Sequence, residues 1–310
     1  MRVVIIALVV ILLGLAALSV GLTLFVFYIP QKKRMPNDKV RDSRIPAHLC
    51  QHMNDTYRKM DEIPHEIIEL TSYDGYKLVG HYYELGGAGA PIVIGVHGYH
   101  GVYKFDGVGS FNYAIDYKKN ILLIDQRAHG KSGSHFTCFG LKERYDCKQW
   151  VDYVLERFGQ QQDIYLLGVS MGAATVTMTT ALNLPYQVQA VIADCGYTSP
   201  EAIIKNTGKS MGICTAVAYP FVYAGAWLLA KIKLDEATSI EAVKRLKLPI
   251  LFIHGQKDDF VPLEMARELY ETCGSSKKQL YVAPDAYHAM SGIVDTKKYG
   301  KVIDEFISSL

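Results

Sequence analysis

The sequence predicts an α/β fold: a mostly parallel sheet with helices on both faces, a helical lid insertion and an N-terminal transmembrane helix. Three observations carry this expectation. From residue 63 onward, short apolar runs of strand type alternate with helix-compatible stretches, the pattern of a parallel sheet covered on both faces. In Gly168-Val169-Ser170-Met171-Gly172, a serine stands between small residues where a strand run breaks into a helix run. At the amino terminus, Val3 through Gln31 holds no charged residue.

The amino-terminal stretch is almost continuously apolar from Val3 to Tyr28. At about 1.5 Å per residue it exceeds the roughly 30 Å hydrocarbon core, so it can span a bilayer with some tilt. A cleaved signal peptide is the rival reading, with Ala16-Ala17-Leu18-Ser19 as a poor cleavage site. Apolar residues continue past that point at Leu22, Leu24, Phe25, Val26 and Phe27, which favours an uncleaved, single-pass anchor. Arg2 precedes the span, while Lys32, Lys33, Arg34, Lys39, Arg41 and Arg44 follow it. The positive-inside rule then places the main domain on the cytoplasmic side. Six cysteines without metal-ligand spacing agree with free thiols in a reducing compartment, although the even count permits disulfides on the other side. A net charge of +2 with no basic block argues against a nucleic-acid partner, whereas the membrane is a partner through the helix. The chain therefore divides into an anchor over 1–31, a polar linker over 32–62 and one domain over 63–310.

The domain opens with a hairpin. His65 to Leu70 and Tyr76 to Tyr83 flank Tyr73-Asp74-Gly75, whose Asp-Gly pair favours a tight turn, so these strands form an antiparallel edge. Buried-strand runs follow at Pro91 to Val96, Asn120 to Ile124, Ile164 to Leu167, Val188 to Ala193, Pro249 to Ile253 and Gln279 to Val282. Helices are expected between several of them, including Leu141 to Phe158, Leu263 to Cys273 and Lys297 to Ser309. One segment breaks the alternation, because over fifty residues separate Asp194 from the strand at Pro249. Within it, Ser210 to Ala230 is uncharged and carries Tyr219, Phe221, Tyr223 and Trp227. Length alone allows a second transmembrane helix, but Pro220 and several Gly and Thr residues weaken it. A lid over about 199–248 explains the segment better, offering greasy walls to a substrate and excluding water.

The serine has the partners that nucleophilic chemistry requires. Its hydroxyl is a poor nucleophile until a base takes the proton and an acid orients that base. At a strand–turn–helix serine of this type, the expected chain order is Ser, then Asp or Glu, then His. Asp258 lies in His254-Gly255-Gln256-Lys257-Asp258-Asp259-Phe260-Val261-Pro262, after a strand run. Of ten histidines, only His288 follows the final one. Both would sit at strand carboxyl ends, facing one crevice. Asp259 is the nearest rival for the acid, and Asp194 is the other position from which an acid could reach the histidine. Attack on an acyl carbon also needs donors aimed at the developing oxyanion. The backbone N–H groups of Met171 and of Tyr99, in Gly95-Val96-His97-Gly98-Tyr99-His100-Gly101, are the candidates. His97 and His100 have no carboxylate or cysteine nearby to complete a metal site, so they read as loop-shaping residues and no metal is expected.

These motifs together carry a resemblance. His97-Gly98, the run Asp125-Gln126-Arg127-Ala128-His129-Gly130-Lys131-Ser132, the Ser170 turn, Asp194-Cys195-Gly196-Tyr197-Thr198, His254 through Pro262 and His288 resemble those of serine hydrolases of the α/β-hydrolase superfamily. The resemblance covers 63–310. It is nearest to the membrane-anchored bacterial branch called serine aminopeptidase-like or dipeptidyl-peptidase-like. It implies the α/β-hydrolase fold, a Ser170–Asp258–His288 triad, no cofactor, and a structural role for Asp125 through Ser132 beneath the site. The superfamily holds esterases, lipases, thioesterases and peptidases, so fold alone does not choose a substrate. The leading expectation is a carboxylic-ester hydrolase acting on a small acyl ester through an acyl-enzyme. A peptidase is the alternative. One acting at a free amino terminus needs a carboxylate for the substrate ammonium, yet no Glu-Glu pair appears and Glu201 is the only acid near the lid entrance. Dehalogenase and epoxide hydrolase chemistry would place aspartate where Ser170 stands. A non-catalytic ligand-binding protein on this fold would usually have lost a triad member, and all three are present in order.

Overall fold

The computed structural model describes residues 2–30, 39–40 and 45–310. The charged residues Lys32, Lys33, Arg34, Arg41 and Arg44, on which the expected orientation rests, lie outside the described residues. In chain order the elements are α1 (Arg2–Phe27), α2 (Ala47–Glu62), β1 (Glu66–Thr71), β2 (Lys77–Tyr83), β3 (Ile92–Val96), α3 (Tyr103–Asp106) and α4 (Val108–Asp116). Then come β4 (Asn120–Asp125), α5 (Glu143–Phe158), β5 (Ile164–Val169), α6 (Met171–Thr179) and β6 (Val188–Asp194). An insertion of α7 (Pro200–Ser210), α8 (Thr215–Gly225), a π-helical turn (Ala226–Ala230) and α9 (Ser239–Arg245) precedes β7 (Ile250–Gly255). The chain closes with α10 (Leu263–Thr272), β8 (Lys278–Ala283), α11 (Ser291–Val294) and α12 (Thr296–Ser308).

The eight strands form one sheet in the order β1-β2-β4-β3-β5-β6-β7-β8. The β1–β2 and β2–β4 pairs are antiparallel, and every pair from β4 onward is parallel. Strands β3, β4, β5 and β7 are buried along their whole length, as a sheet covered on both faces requires. On one face α5 buries Cys147, Trp150, Val151 and Val154, a stripe at helical spacing, with α6, α9 and α10 beside it. On the other, α4 presents Phe111 and Tyr113 while α12 presents Tyr299, Val302, Ile303 and Phe306. This is the α/β-hydrolase fold, with the mostly parallel sheet and antiparallel edge that the sequence predicts.

Two segments differ from the expected division. The linker over 32–62 is not wholly a connector, because α2 lies within it. Leu49, Met53, Thr56, Tyr57 and Met60 form one buried stripe on that helix, and Tyr83 Oη donates to the Met60 carbonyl at 3.1 Å. Its overall polarity conceals a single apolar face. The expected anchor also does not end where the domain begins. Along α1, with mean hydropathy 3.0 over its most apolar window, the described side chains from Val4 to Leu18 are exposed, but Thr23, Phe27 and Ile29 are buried in the domain. Thr137 N–H donates to the Phe27 carbonyl at 2.9 Å and Ile29 N–H to the His135 carbonyl at 3.0 Å, around a Tyr28–Phe136 antiparallel bridge.

The end of α1 packs against α8. Ser19 Oγ donates to the Phe221 carbonyl at 2.7 Å, and a Cβ on Gly225 would fall 1.7 Å from Thr23 Oγ1. The helices approach this closely because Gly225 has no side chain. The α7 helix starts on a Ser199 cap, whose Oγ accepts from Ala202 N–H at 3.0 Å, followed by Pro200. Ser210 to Ala230 is broken before Thr215 and turns at Lys231 (φ 56°), so it does not form one long span. Among the described residues, one helix, α1, is long and apolar enough to cross a membrane.

Candidate active site

The sheet delivers Ser170 to a strained corner. Ser170 sits between β5 and α6 at φ 56° and ψ −116°, a conformation that costs energy for any residue with a Cβ and persists only when its surroundings enforce it. The surroundings are tight. A Cβ on Gly168 would lie 2.2 Å from the Gly172 carbonyl oxygen, and one on Gly172 would lie 2.0 Å from that of Val96. Ser170 N–H donates to the Asp194 carbonyl at 2.8 Å, fixing the turn against β6.

Asp258 and His288 arrive from the ends of β7 and β8. Asp258 Oδ1 accepts from the N–H groups of Phe260 (3.0 Å) and Val261 (2.8 Å), which locks the loop as an Asx-type turn. Its Oδ2 lies 2.8 Å from His288 Nδ1, and His288 Nε2 lies 2.9 Å from Ser170 Oγ. A carboxylate at Nδ1 keeps the ring proton there and leaves Nε2 to accept from the serine. Burial pushes the Asp258 pKa up, but the hydrogen bonds from His254 and His288, with the charge near His288, hold it well below the usual carboxylate range. Its stabilising contribution is therefore present at neutral pH and is lost only in strong acid. The structure thus brings Ser170, Asp258 and His288 into one hydrogen-bonded line. Asp259, the rival acid, points to solvent. Asp194 is buried and accepts from Ser291 Oγ at 3.0 Å, with burial raising its pKa to about 6 against the Ser291 hydrogen bond.

The loop after β3 forms the other wall. Met171 opens α6, so its N–H belongs to the first turn, which a helix leaves without an intrahelical acceptor. A Cβ on Gly98, the neighbour of Tyr99, would lie 3.1 Å from Ser170 Cβ, which puts this loop against the serine. Gly98 N–H donates to Asp106 Oδ2 at 2.6 Å. His97 Nδ1 lies 2.8 Å from the Gly98 carbonyl while Nε2 accepts from Gln126 N–H at 2.9 Å, and His129 Nε2 accepts from His100 N–H at 3.1 Å. His97 and His129 thus clamp backbone. Beneath them, Arg127 Nε donates to Asp146 at 2.7 Å and its Nη1 to Asp74 at 2.9 Å, which braces the Asp125–Ser132 segment.

Cys195, Asp258 and His288 bring ligand-capable atoms within 4.8 Å of one another. Burial drives the Cys195 thiol well above its usual pKa, so it stays neutral, and both His288 nitrogens are engaged by Asp258 and Ser170. A neutral thiol beside an imidazole with both nitrogens engaged is a poor donor set for a metal ion.

Above the serine lies an apolar cavity of about 480 Å³. Its walls include Tyr99 and Phe139 from loops, Ile203 and Val222 from the insertion, and Phe25 and Val26 from α1. Glu201 is paired with Lys205, whose ammonium lies 4.6 Å from the Tyr219 ring centroid. Three contributions escaped the sequence reading. Asp106 steadies the Gly98 amide from a four-residue helix that no spacing rule marks. His254 Nε2 lies 2.9 Å from the Val261 carbonyl and 3.3 Å from Asp258 Oδ2, a support hidden inside a recognised motif. The apolar run of α1 reads as an anchor, and no local signal shows that its end lines the cavity.

Comparisons with known proteins agree with this architecture. A family model described as "alpha/beta hydrolase fold" matches residues 91–213, and one described as "Serine aminopeptidase, S33" matches 228–292. The uncharacterized protein YqkD of Bacillus subtilis is 23% identical over 299 residues, covering 95% of this chain and 94% of its own. The uncharacterized membrane protein YNL320W of Saccharomyces cerevisiae is 25% identical over 206 residues, covering 64% of this chain and 66% of its own. Among solved structures, the Pyrococcus furiosus esterase Pf2001 superposes with a TM-score of 0.66 at 22% identity, over 89% of this chain and 98% of that one. At such identity the likeness establishes the fold.

Proposed function

We propose that this chain, which has the α/β-hydrolase fold, is a membrane-anchored serine hydrolase of carboxylic esters. The carrying observation is the line from Asp258 Oδ2 to His288 Nδ1 (2.8 Å) and from His288 Nε2 to Ser170 Oγ (2.9 Å). In this reading Ser170 Oγ attacks the acyl carbon as His288 Nε2 takes its proton. Asp258 holds the tautomer and stabilises the imidazolium. The oxyanion accepts from the Met171 and Tyr99 N–H groups, each contributing about 10²–10³ in rate. Collapse breaks the ester C–O bond, His288 returns the proton to the leaving alcohol, and water releases the acyl group by the same steps.

An ester is favoured over a peptide by the surroundings. The cavity walls are apolar, and Glu201, the acid that could pair a substrate ammonium, is occupied by Lys205. The serine aminopeptidase model over 228–292 keeps a peptidase as the second reading. The exposed apolar face of α1 and the likeness to a protein described as a membrane protein support the anchor. The test is turnover of short p-nitrophenyl esters beside aminoacyl and dipeptidyl amides, with fluorophosphonate labelling of the serine. Ser170→Ala should abolish both ester turnover and labelling while the circular dichroism spectrum stays unchanged. Faster amide turnover would select the peptidase, and unlabelled wild-type protein would select a non-catalytic ligand-binding role.

A further inference from the structure

The cavity above Ser170 is walled partly by the helix that carries the membrane-spanning stretch. Leu22, Leu24, Phe25 and Val26 of α1 all line it. Two of these remain open to the outside, Leu24 at 42% and Phe25 at 63% exposure, so they stand at the mouth. Met211 from the insertion and Phe260 from the Asp258 loop complete an exposed apolar rim. A rim of this kind around a polar reaction centre is poorly suited to water and well suited to hydrocarbon.

Helix length bears on where that rim would sit in a bilayer. The fifteen residues from Val4 to Leu18, which precede the first buried position at Ser19, span only ~22 Å at about 1.5 Å per residue. A hydrocarbon core of about 30 Å needs roughly five residues more, reaching Thr23. For a span that begins at Val4, Leu24 and Phe25 would follow at once, which would set the mouth at the edge of the hydrocarbon layer. The segment from Ser19 onward is packed against α8, so the insertion is held at the same depth. It presents Val217, Trp227, Leu228 and Leu229 as exposed apolar side chains, with Lys231 and Lys233 exposed just beyond them. Apolar residues backed by cations match the boundary between acyl chains and anionic headgroups. The same helix also reaches the reaction centre, since Tyr99 Oη donates to the Val26 carbonyl at 2.9 Å.

We propose that the substrate is an acyl lipid resident in the bilayer, whose acyl chain passes from the hydrocarbon between α1 and the insertion into the cavity and brings its ester carbonyl to Ser170. The proposal rests on the serine-hydrolase reading above. The ester C–O bond breaks, the acyl group passes to Ser170 Oγ, and the lipid alcohol leaves with the proton held by His288. Water then releases a fatty acid.

The experiment uses the full chain reconstituted in phosphatidylcholine vesicles and has two independent readouts. The first uses the two native tryptophans: Trp150 is buried in the core, whereas Trp227 is 53% exposed on the insertion. Brominated acyl chains should quench part of the emission, and Trp227→Phe should remove the quenched component. Unquenched emission would place the insertion clear of the bilayer and overturn the proposal. The second compares fatty-acid release from phosphatidylglycerol, diacylglycerol and monoacylglycerol in the vesicles with turnover of soluble p-nitrophenyl butyrate. Phe25→Glu and Leu24→Glu, checked for folding by circular dichroism, should each lower lipid turnover at least tenfold more than butyrate turnover. Equal losses would overturn entry at this mouth. Serine-dependent butyrate turnover without fatty-acid release from any of the three lipids would overturn the lipid substrate and leave the serine-hydrolase reading standing. Failure on butyrate and lipid together would instead reject the serine-hydrolase reading, while the quenching still decides where the insertion sits.

Discussion

Replacing Asp258 by asparagine separates the chemistry of the acid from its structural work. The substitution keeps an oxygen to accept from the Phe260 and Val261 N–H groups, so the loop after β7 retains its turn. The amide nitrogen then faces His288 Nδ1, now 2.8 Å from a carboxylate oxygen. Two donors cannot share that contact, so His288 moves its proton to Nε2, the nitrogen 2.9 Å from Ser170 Oγ. In that tautomer the ring donates to the serine and cannot take its proton. The loss expected for a wrong tautomer in unchanged geometry is about 10⁴-fold in kcat, or ~5.5 kcal/mol of transition-state stabilisation. Asp258→Ala should show a similar kinetic loss and a second effect, since it strips the acceptor from the Val261 N–H at about 1–3 kcal/mol of stability. The assay is kcat and KM on p-nitrophenyl butyrate, with thermal unfolding of each variant. A loss below tenfold in Asp258→Asn would refute the assigned role of the acid, and Asp259→Asn, on an exposed side chain, is the matched control.

Two further outcomes test the packing. Phe27 is fully buried with its ring 5.4 Å from that of Phe139, so Phe27→Ala should cost about 3–5 kcal/mol and lower Tm by roughly 6 °C or more in detergent. A shift under about a degree would mean that the end of α1 is not part of the folded domain. Asp194 is buried with its pKa raised to about 6, so the native state binds that proton more tightly than the unfolded chain does. Its contribution is therefore fully present below about pH 4 and is lost as pH rises through about 6, by ~3 kcal/mol in all. Asp194→Asn should flatten the fall in Tm between pH 4 and 7, and an unchanged slope would remove Asp194 as its source.

Much of the candidate site is legible in the chain because its signals are local. A serine between glycines at a strand–helix junction, an aspartate after one strand and a histidine after the last each depend on a few neighbouring residues. Strand order then brings them together without further instruction. Asp106 and His254 are less legible because their work is done through contacts with loops, and nothing in their own sequence marks the partner. The α2 stripe from Leu49 to Met60 was obscured for a related reason: five buried positions among polar neighbours do not register as an apolar cluster.

The amino-acid sequence by itself determined the mostly parallel sheet, the candidate serine and histidine with a short choice of acids, and an apolar helix long enough for a bilayer. All of these follow from periodicity, turn chemistry and residue type. Only the tertiary structure decided that Asp258 rather than Asp259 or Asp194 faces His288, since neighbouring carboxylates differ in direction and not in composition. It alone decided that α1 ends inside the domain, where Gly225 lets α8 lie against Thr23 and Phe25 reaches the mouth of the cavity. That arrangement joins residues two hundred positions apart, and such contacts are set by close packing in three dimensions, which a linear pattern does not encode.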